Sequence, residues 1–493
     1  MAWPAGLGRY IAGTLGIAVG PHPTTRSDDP GWLMGTDWIS RAQSLSLEAR
    51  PFIDGRFGVP RQGRSIKKFS PRDGRLLCSI TAADVEHVEG AVGSSRRAFA
   101  DGRWSQMPAN RRQDTLYRLA SLLERHVEEL ALLESIDVGK PIRSALDFDV
   151  VAAAAIIRFN AEAANKHYGK VYSSDAAGLS YEVRRPVGVV AGVIGWNFPL
   201  VLAAQKIGPA LAAGNSIVLK PSELTSLSAS RVAELAMEAG VPEGVLNIIH
   251  GDGQTGTLIA LHREVDLVTF TGSTKIGKKI LIASGQSNMK RVILECGGKA
   301  PNIIFDDCQN LDAVAEAVVS SAFWNQGQVC VASSRLLVQE SIKDEIVKRV
   351  VRCASSLIPE DPLKEETKFG ALISQGHRQR VLGYIETGER EGATIIYQSK
   401  TPPPFSEGAY VGPIIFDNVQ SHFKIAQEEI FGPVLAIISF RDEQDALRIA
   451  NETIYGLSAV VWTTDLARAH RISRALDAGW IVIRATDKSG SDS

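Results

Sequence analysis

The sequence GVVAGVIG at positions 188–195 is the first of four short apolar runs that decide the fold. SIVLKP (216–221), VLNIIH (245–250) and LVTFTG (267–272) follow it, and helical segments alternate with these runs. Short apolar runs that are bounded by Gly or Pro and alternate with helices are typical of parallel βαβ units. The sequence therefore predicts an α/β domain built on a parallel sheet.

A second series of apolar runs follows further along the chain, and it consists of PNIIF from 301, RLLVQ from 335, VLAIISF from 434 and AVVWTT from 459. Each run again has a helical stretch nearby, so a second α/β domain is predicted. Ahead of both series, apolar residues recur at helical spacing from Ala83 to Ala100 and from Arg111 to Glu134. The front third of the chain is therefore predicted to be rich in helices.

Composition excludes several classes of protein. The chain has 493 residues, of which 44% are hydrophobic and 22% charged, and this is ordinary globular composition for two to four domains. Lys plus Arg number 54 against 55 Asp plus Glu, so no basic excess exists to hold a nucleic acid. No apolar run approaches the roughly 18 residues that a membrane span needs.

Five scattered cysteines are too few for a disulfide framework or a CxxC metal site, so we expect no metal and a reducing, cytoplasmic location. The first 34 residues differ from the rest and are predicted to be a disordered extension. They contain a short apolar stretch, Ile11 to Gly20, that leaves a targeting role open. Residues 170–185, KVYSSDAAGLSYEVRR, alternate polar and apolar residues about a small-residue turn and predict an outlying hairpin suited to subunit contact.

Two glycine-rich loops could each cradle a phosphate, because both follow a strand and open a helix. Gly251 to Gly256 fits G-x-G-x-x-G, and Phe270 to Gly277 reads FTGSTKIG. Lys220 and Glu223, just past a predicted strand, add a cation and a carboxylate able to bond ribose hydroxyls. A plain tight turn remains the alternative for each loop, and a solvated surface pair for the two charges.

Three short segments carry chemistry: GWNFP at 195–199, LECGGKAPN at 294–302 and NQGQVC at 325–330. They contain a nucleophile in Cys330, a base in Glu295 and a hydrogen-bond donor in Asn197. Taken singly, each residue has a structural alternative. Cys330 could be a small core residue, Glu295 a surface charge and Asn197 a turn residue.

Taken together, the segments resemble the aldehyde dehydrogenase superfamily from about Asp37 to about Gly479. The resemblance rests on GWNFPL, ALAAGNSIVLKPSE, FTGSTKIG, LECGGKAPNIIF, NQGQVC and EEIFGPV in this order. It implies oxidation of a small-molecule aldehyde to a carboxylate with NAD or NADP, through a thioester on cysteine. It also implies a homo-oligomer, either a dimer or a tetramer.

The fold implied by the resemblance is a Rossmann-type NAD-binding domain plus an α/β catalytic domain, with a protruding oligomerisation hairpin and a truncated C-terminus. The boundaries expected on this basis are an extension at 1–34, a dinucleotide-binding domain at 35–168 and 186–295, a catalytic domain at 296–479, and an oligomerisation flap at 169–185 joined by 480–493.

The resemblance also implies the catalytic roles. Cys330 matches the nucleophile, and Asn197 with the backbone N–H of Cys330 matches the oxyanion hole. Glu295 matches the general base, and a carboxylate in that role has to be buried to be basic enough. Lys206 matches a lysine on a proton path whose glutamate partner belongs to a family segment that this sequence does not show.

The same resemblance implies a cofactor site. Lys220 and Glu223 would hold the adenosine ribose, while Glu429 and Phe431 would lie at the nicotinamide. Pyrophosphate binding is implied for Trp196, Gly272, Ser273 and Gly277, with Gly253 in a supporting role. The carboxylate of Glu223 favours NAD over NADP because it would repel a 2′-phosphate, although Lys220 leaves NADP possible.

Three segments place the chain closest to family members that act on ω-amino aldehydes and γ-glutamylaminobutyraldehyde in putrescine breakdown, namely 38–57, 137–150 and 287–311. A broad-specificity aliphatic enzyme is the alternative. After Gly479 the sequence reads WIVIRATDKSGSDS, a polar tail where the family usually continues with further strands. A catalytically impaired family member with an open sheet edge therefore remains a further alternative. A CoA-acylating relative is less favoured, because Glu295 is present to direct water onto the thioester.

Overall fold

The computed structural model describes residues 36–58, 64–175, 177–400 and 402–485. They form two compact units. The first comprises the chain up to Phe69 together with Arg75–Val138 and Ile142–Glu295. The second comprises Ser70–Gly74, Gly139–Pro141 and the chain from Cys296 onward. The predicted extension at 1–34 lies outside the described residues.

The first unit contains nine strands and ten helices among its described residues. The strands are β1 (Phe52–Ile53), β2 (Arg56–Phe57), β3 (Ser65–Phe69), β4 (Leu76–Thr81), β5 (Val189–Val193), β6 (Ser216–Lys220), β7 (Leu246–Ile248), β8 (Leu267–Thr271) and β9 (Arg291–Glu295). The helices are α1 (Trp38–Ser44), α2 (Val85–Ala100), α3 (Ala109–Arg125), α4 (Val127–Val138), α5 (Ile142–Ser144), α6 (Val150–Ala163, preceded by a π-turn at Ala145–Asp149), α7 (Pro199–Ala212), α8 (Leu227–Ala239), α9 (Gly253–Leu261) and α10 (Thr274–Gln286).

The main sheet of the first unit has the order β2-β1-β7-β6-β5-β8-β9. Strands β7, β6, β5, β8 and β9 are mutually parallel, which confirms the parallel sheet predicted from the four apolar runs. Strand β9 was not predicted. Its residues alternate between exposed and half-buried because it forms the edge of the sheet, so the sequence RVILE lacks the fully apolar character of the central strands.

The second unit contains a sheet of seven strands in the order β12-β13-β14-β11-β10-β15-β16. The strands are β10 (Pro301–Ile304), β11 (Arg335–Gln339), β12 (Thr394–Gln398), β13 (Ile414–Asp417), β14 (Val434–Phe440), β15 (Ser458–Trp462) and β16 (Trp480–Arg484). The helices are α11 (Leu311–Phe323), α12 (Lys343–Ala354), α13 (Gln375–Arg390), α14 (Lys424–Gln427), α15 (Glu443–Asn451) and α16 (Leu466–Ala475), with short 3₁₀ turns at Trp324–Gly327 and Glu340–Ile342.

All strand pairs of this second sheet are parallel except β12 with β13. Two apolar clusters cover the sheet, one around Phe416 and Phe440 and the other around Phe323 and Trp462. Burial on both faces explains why the central strands read as continuous apolar runs.

The structure corrects the expectation for residues 480–493. Trp480–Arg484 were grouped with a polar tail and the oligomerisation flap, but they form β16, which pairs with β15 over its full length. Each residue of β15 from Ser458 to Trp462 has a partner in β16, so this segment belongs to the sheet of the second unit. Residues 486–493 lie outside the described part of the chain.

The predicted hairpin at 170–185 is present. Val171 and Tyr181 form an antiparallel bridge, and the N–H of Glu182 donates to the carbonyl of Lys170 at 2.7 Å. Its described side chains are exposed from Val171 to Tyr181. Among the described residues, no helix combines the length and apolar character that crossing a bilayer requires.

Candidate active site

Asn197 lies in the turn that leads from β5 into α7, and its side chain is only 8% exposed. Pro199 occupies the first turn of α7, where its fixed φ suits the helix. The N–H of Leu200, next along, donates to the buried carboxylate of Glu134 at 3.1 Å. An anionic side chain at a helix N-terminus is favourable, so Glu134 anchors the turn that carries Asn197.

Lys206 is buried on α7, in the same unit as Glu295. Burial lowers the pKa of Lys206, and the negative charge of Glu295 opposes that shift. The two residues are therefore within electrostatic reach of each other.

The sequence analysis expected Glu295 to be buried, but in the structure it is exposed. It is the last residue of β9, and the side chains of Arg291, Ile293 and Glu295 all lie on the exposed side of this edge strand. The reason is the period of two along a strand, which places alternate residues on one face. Its backbone is fixed, because its carbonyl accepts from the N–H of Gly272 at 3.0 Å.

Lys220, at the end of β6, is 4% exposed. Its ammonium donates to the carbonyls of Pro221 at 2.7 Å and Gly251 at 2.6 Å. Burial lowers the pKa of Lys220 to about 8, against the attraction of Glu223 and Asp252. Two of its three N–H donors are thus used within the protein.

The N-termini of α9 and α10 differ in a way that separates the two glycine loops. At α9, Asp252 caps the helix by accepting from the N–H of Gln254, and Arg64 pairs with the same carboxylate. These bonds lower the pKa of Asp252 to about 2. At α10, the side chain of Ser273 makes no capping bond. A fixed anion already occupies the start of α9, whereas no side-chain cap occupies the start of α10.

The glycines of the first loop differ in whether the backbone has room for a side chain at their positions. Gly251 has φ +148, and a Cβ there would overlap Thr255, whereas a Cβ on Gly253 would meet nothing within 4 Å. Gly253→Ala is therefore expected to raise the free energy of unfolding by about 0.4–1 kcal/mol and to leave the KM for cofactor unchanged. Urea unfolding and initial rates measure this. Gly251→Ala, the matched variant, should destabilise, and a tenfold higher KM in Gly253→Ala would contradict the expectation.

In the second unit, the glycine pair Gly297–Gly298 lies against both Cys330 and Glu429. A Cβ on Gly298 would overlap the carbonyl oxygen of Cys330, and one on Gly297 would overlap the carboxylate of Glu429. The N–H of Gly298 also donates to Glu429 Oε1 at 3.1 Å. The absence of side chains at both positions thus brings the predicted nucleophile and a predicted nicotinamide residue to the same short segment.

The turn before Cys330 has an unusual backbone. Asn325 and Gln326 have φ of 47° and 58°, and Gly327 follows at 73°. Two successive non-glycine residues in the left-handed region store strain, and such strain concentrates at functional sites. Gln328 secures the turn, because its side-chain oxygen accepts from the N–H of Ile373 at 2.9 Å. Cys330 itself is half-buried.

Glu429 and Phe431, the predicted nicotinamide residues, lie in the loop between α14 and β14. Burial raises the pKa of Glu429, while the Gly298 N–H and the charges of Arg380 and Lys299 oppose that shift. Phe431 has a positive φ of 59°. Its carbonyl accepts from His377 Nε2 at 2.7 Å, so His377 fixes this strained residue.

His377 is expected to make stability depend on pH. Burial lowers the pKa of His377 from 6.5 to about 4, so the unfolded chain takes up the proton first as the pH falls. The contribution of neutral His377 to the free energy of unfolding is fully present above about pH 6.5 and is lost as the pH falls towards 4. Between pH 7 and pH 5, the free energy of unfolding should therefore fall by about 2 kcal/mol less in His377→Gln than in wild type.

Urea unfolding followed by tryptophan fluorescence measures that slope. His250, whose pKa burial also lowers to about 4, stays in the variant and supplies an internal reference. Equal pH slopes for wild type and variant would contradict the assignment to His377.

Three of the other cysteines are poor nucleophiles. Burial raises the pKa of Cys78 to about 11 and that of Cys308 to about 12, and it also raises that of Cys353. Thiols of this kind stay protonated near neutral pH. Cys296 and Cys330 are the remaining pair. Among the described residues, no cluster of His, Cys, Asp and Glu could hold a metal ion.

Sequence reasoning missed several supporting residues. Gly297 and Gly298 could have been noticed as an adjacent glycine pair beside a charged motif. Glu134 and His377 carried no signal, because each acts through a partner far along the chain. The structure groups Asn197, Lys206, Glu295 and the residues predicted to bind pyrophosphate in the first unit, and Cys330, Glu429 and Phe431 in the second.

Residues 59–493 match the aldehyde dehydrogenase family. The chain belongs to this family. NADP/NAD-dependent aldehyde dehydrogenase PuuC of Escherichia coli (strain K12) is 44% identical over 447 residues, which cover 90% of each protein. A crystal structure of γ-glutamyl-γ-aminobutyraldehyde dehydrogenase from Burkholderia cenocepacia J2315 is 45% identical with a TM-score of 0.89, and a structure of indole-3-acetaldehyde dehydrogenase with NAD+ is 46% identical with a TM-score of 0.89. Each match covers 92% of both chains.

These matches confirm the family and the α/β fold that the sequence predicted. This aldehyde dehydrogenase is accordingly an oxidoreductase that acts on aldehydes.

Proposed function

We propose that this aldehyde dehydrogenase oxidises ω-amino or γ-glutamylamino aldehydes of polyamine breakdown to carboxylates, with NAD+ as cofactor and NADP+ as a second choice. Support for the substrate class comes from the similarity to PuuC and to the γ-glutamyl-γ-aminobutyraldehyde dehydrogenase structure. Support for the cofactor comes from the NADP/NAD dependence in the name of PuuC and from the NAD+ complex of a structural relative.

One observation carries the mechanistic part of the proposal. Gly297 and Gly298 lie against the carbonyl of Cys330 on one side and the carboxylate of Glu429 on the other. A nucleophile has to stand close to the group that accepts the hydride, and this segment provides that closeness within one unit. The glycines are needed because any side chain at either position would push the two apart.

In the proposed reaction, Cys330 attacks the aldehyde carbon as a thiolate and forms a hemithioacetal oxyanion. The side-chain N–H of Asn197 and the backbone N–H of Cys330 hold that oxyanion. A bound nicotinamide would supply the acceptor for the hydride that leaves the former aldehyde carbon, and loss of this hydride would convert the hemithioacetal into a thioester on Cys330. Glu295, although exposed at the end of β9 rather than buried, is proposed to take a proton from the water that hydrolyses the thioester, with the charge of Lys206 to assist it.

The residues present fit a dinucleotide. At the N-terminus of α10, no side-chain cap occupies the first amides, which begin at Ser273. The N–H groups of Gly272 and Gly277 already donate to the carbonyls of Glu295 and Ser273, so these glycines would contribute shape rather than donors, and Trp196 is assigned to the same group. One N–H of Lys220 is available to donate to a ribose hydroxyl. The carboxylate of Glu223 would accept a hydrogen bond from the ribose. Gly253 keeps a supporting role at most, because its position would accommodate a Cβ.

The exposed hairpin supports a homo-oligomer. Tyr168, Val171 and Leu179 are 76%, 77% and 72% exposed, which is unusual for large apolar side chains on one short segment. We propose that the hairpin contacts a second subunit. Light scattering on the purified protein and on a Val171→Glu, Leu179→Glu variant tests this, and an unchanged mass in the variant would contradict it.

A broad-specificity enzyme is the second candidate, because the indole-3-acetaldehyde dehydrogenase structure is as similar as the amino aldehyde enzymes. Initial rates with NAD+ on γ-aminobutyraldehyde, its γ-glutamyl derivative, hexanal and indole-3-acetaldehyde separate the two. The proposal expects kcat/KM to favour the amino substrates by about tenfold or more. Equal values on all four substrates would overturn the amine assignment.

Two further outcomes bear on the reaction itself. No absorbance rise at the reduced-nicotinamide band from folded protein with any of these aldehydes would overturn the proposed activity. Acyl-CoA in place of free carboxylate when CoA is added would instead identify a CoA-acylating enzyme, in which Glu295 does not direct water onto the thioester.

A further inference from the structure

The turn that carries Asn197 enters α7 through a residue that cannot cap a helix. Phe198 stands at the N-cap position, where Ser, Thr, Asp or Asn commonly supplies a side-chain acceptor, and a phenyl ring has none. Pro199 follows and has no N–H, so the N–H of Leu200 is the first backbone donor of the helix. Leu200 is 1% exposed. A donor buried to this extent has to be satisfied from within the protein.

Glu134 satisfies this donor from a distant part of the chain. Its Oε1 accepts from the N–H of Leu200 at 3.1 Å across a sequence separation of 66 residues. Glu134 lies on α4 and is 0% exposed. Burying a carboxyl group is costly, and a serine or aspartate at position 198 would satisfy the same helix end locally at a smaller cost. The buried carboxyl group has one property that a local cap lacks, because it ties the start of α7 to α4.

The side chain of Phe198 forms a second tie. Its ring meets that of Phe148 edge to face, with the ring centroids 6.0 Å apart. Phe148 is 8% exposed and belongs to the π-turn at Ala145–Asp149, which runs into α6. Turns of this kind inside helices are rare and occur frequently at functional sites. The residues that follow Asn197 are thus held by α4 and by the π-turn, both of which belong to the same unit as Asn197.

We propose that Glu134 is a positioning residue for the oxyanion hole, because it fixes the backbone from which the Asn197 side chain projects. This role rests on the proposed function, in which Asn197 holds the hemithioacetal oxyanion. Leu200 is three residues beyond Asn197, and Pro199 restricts φ between them. A shift of the Leu200 N–H is therefore passed back to Asn197. A donor that is misplaced by about 1 Å can cost about 10²-fold in rate.

Three substitutions of Glu134 separate the reach of the side chain from its charge. Glu134→Gln keeps the length and an acceptor oxygen, so kcat for aldehyde oxidation should stay within about threefold of wild type. Glu134→Asp keeps the carboxyl group but is one methylene shorter, so kcat should fall about tenfold. Glu134→Ala loses the acceptor, and its kcat should fall about tenfold to 10²-fold, with the KM for aldehyde within about twofold of wild type in each variant. A kcat of Glu134→Gln as low as that of Glu134→Asp would overturn the positioning role.

A double-mutant cycle with Asn197→Ala tests whether Glu134 acts through Asn197. With the Asn197 donor gone, Glu134→Ala should lower kcat by less than about twofold further. The same fall in kcat in both backgrounds would mean that Glu134 acts elsewhere, and it would overturn the positioning role. Lack of an effect from Asn197→Ala alone, or of turnover in folded wild type, would instead contradict the proposed function. Glu134→Asp replaces Glu134→Ala in the cycle if the alanine variant does not fold.

Asp442→Ala is the matched control for the loss of a helix cap. Asp442 accepts from the N–H of Asp445 at 2.9 Å at the start of α15 in the second unit, and it has no proposed part in the reaction. Thermal unfolding should show a lower Tm for both Asp442→Ala and Glu134→Ala. Measured below either Tm, kcat should fall in Glu134→Ala and stay within about twofold of wild type in Asp442→Ala. An equal fall in kcat in both variants would reduce Glu134 to a contribution to general stability and overturn the positioning role.

Discussion

Cys330→Ser is expected to lower kcat for aldehyde oxidation by about 10³-fold or more while cofactor affinity stays within twofold of wild type. A serine hydroxyl is far less acidic than a thiol, so at neutral pH it supplies almost no anionic nucleophile. The substitution replaces the sulfur by a smaller oxygen and adds no volume, so the backbone beside Gly298 should keep its position. Steady-state rates from nicotinamide absorbance and cofactor titration by tryptophan fluorescence measure both quantities.

Cys296→Ser is the matched control for this experiment. Cys296 is also half-buried and stands next to the glycine pair, so it tests whether any thiol in this segment would serve. It should retain activity within about threefold, since surface and boundary substitutions away from the chemistry have small effects. Turnover by Cys330→Ser within tenfold of wild type, or loss of turnover in Cys296→Ser alone, would refute the assignment of the nucleophile.

Asn197→Ala carries the second largest expected effect, a fall in kcat of about 10²–10³-fold with little change in the KM for aldehyde. The side-chain N–H of Asn197 is proposed to hold charge that develops only when the thiolate attacks. Its loss therefore raises the barrier without weakening substrate binding. The turn itself should survive, because the Leu200–Glu134 hydrogen bond and Pro199 fix the start of α7.

Asn165→Ala, on the exposed segment after α6, is the control for the loss of an amide. It should leave both kinetic constants within twofold. Thermal unfolding of Asn197→Ala separates catalysis from folding, since the proposal expects the Tm to stay close to that of wild type. A raised KM with unchanged kcat would place Asn197 in substrate binding and contradict an oxyanion role.

The two units show why some elements were predicted and others were not. The central strands β5, β6, β8 and β14 are buried on both faces, so their sequences are uniformly apolar and easy to recognise. Of the missed strands, β9, β12 and β16 lie at sheet edges and have mixed exposure, whereas β13, which was also missed, lies between β12 and β14 and is mostly buried. An edge strand is completed by its neighbour, and a local window of sequence does not contain that neighbour.

The sequence by itself determined the family and the two α/β series, because these depend on local order along the chain, and it proposed the residues that carry the chemistry. Only the tertiary structure decided that Glu295 is exposed, that Gly253 tolerates a side chain and that buried Lys299 has no hydrogen-bond partner among the residues that the structure describes. The physical reason is that burial, close approach and charge balance arise from residues far apart in sequence. The charges of Arg335 and Glu429, from distant parts of the chain, act on Lys299, and no sequence pattern around position 299 predicts these neighbours.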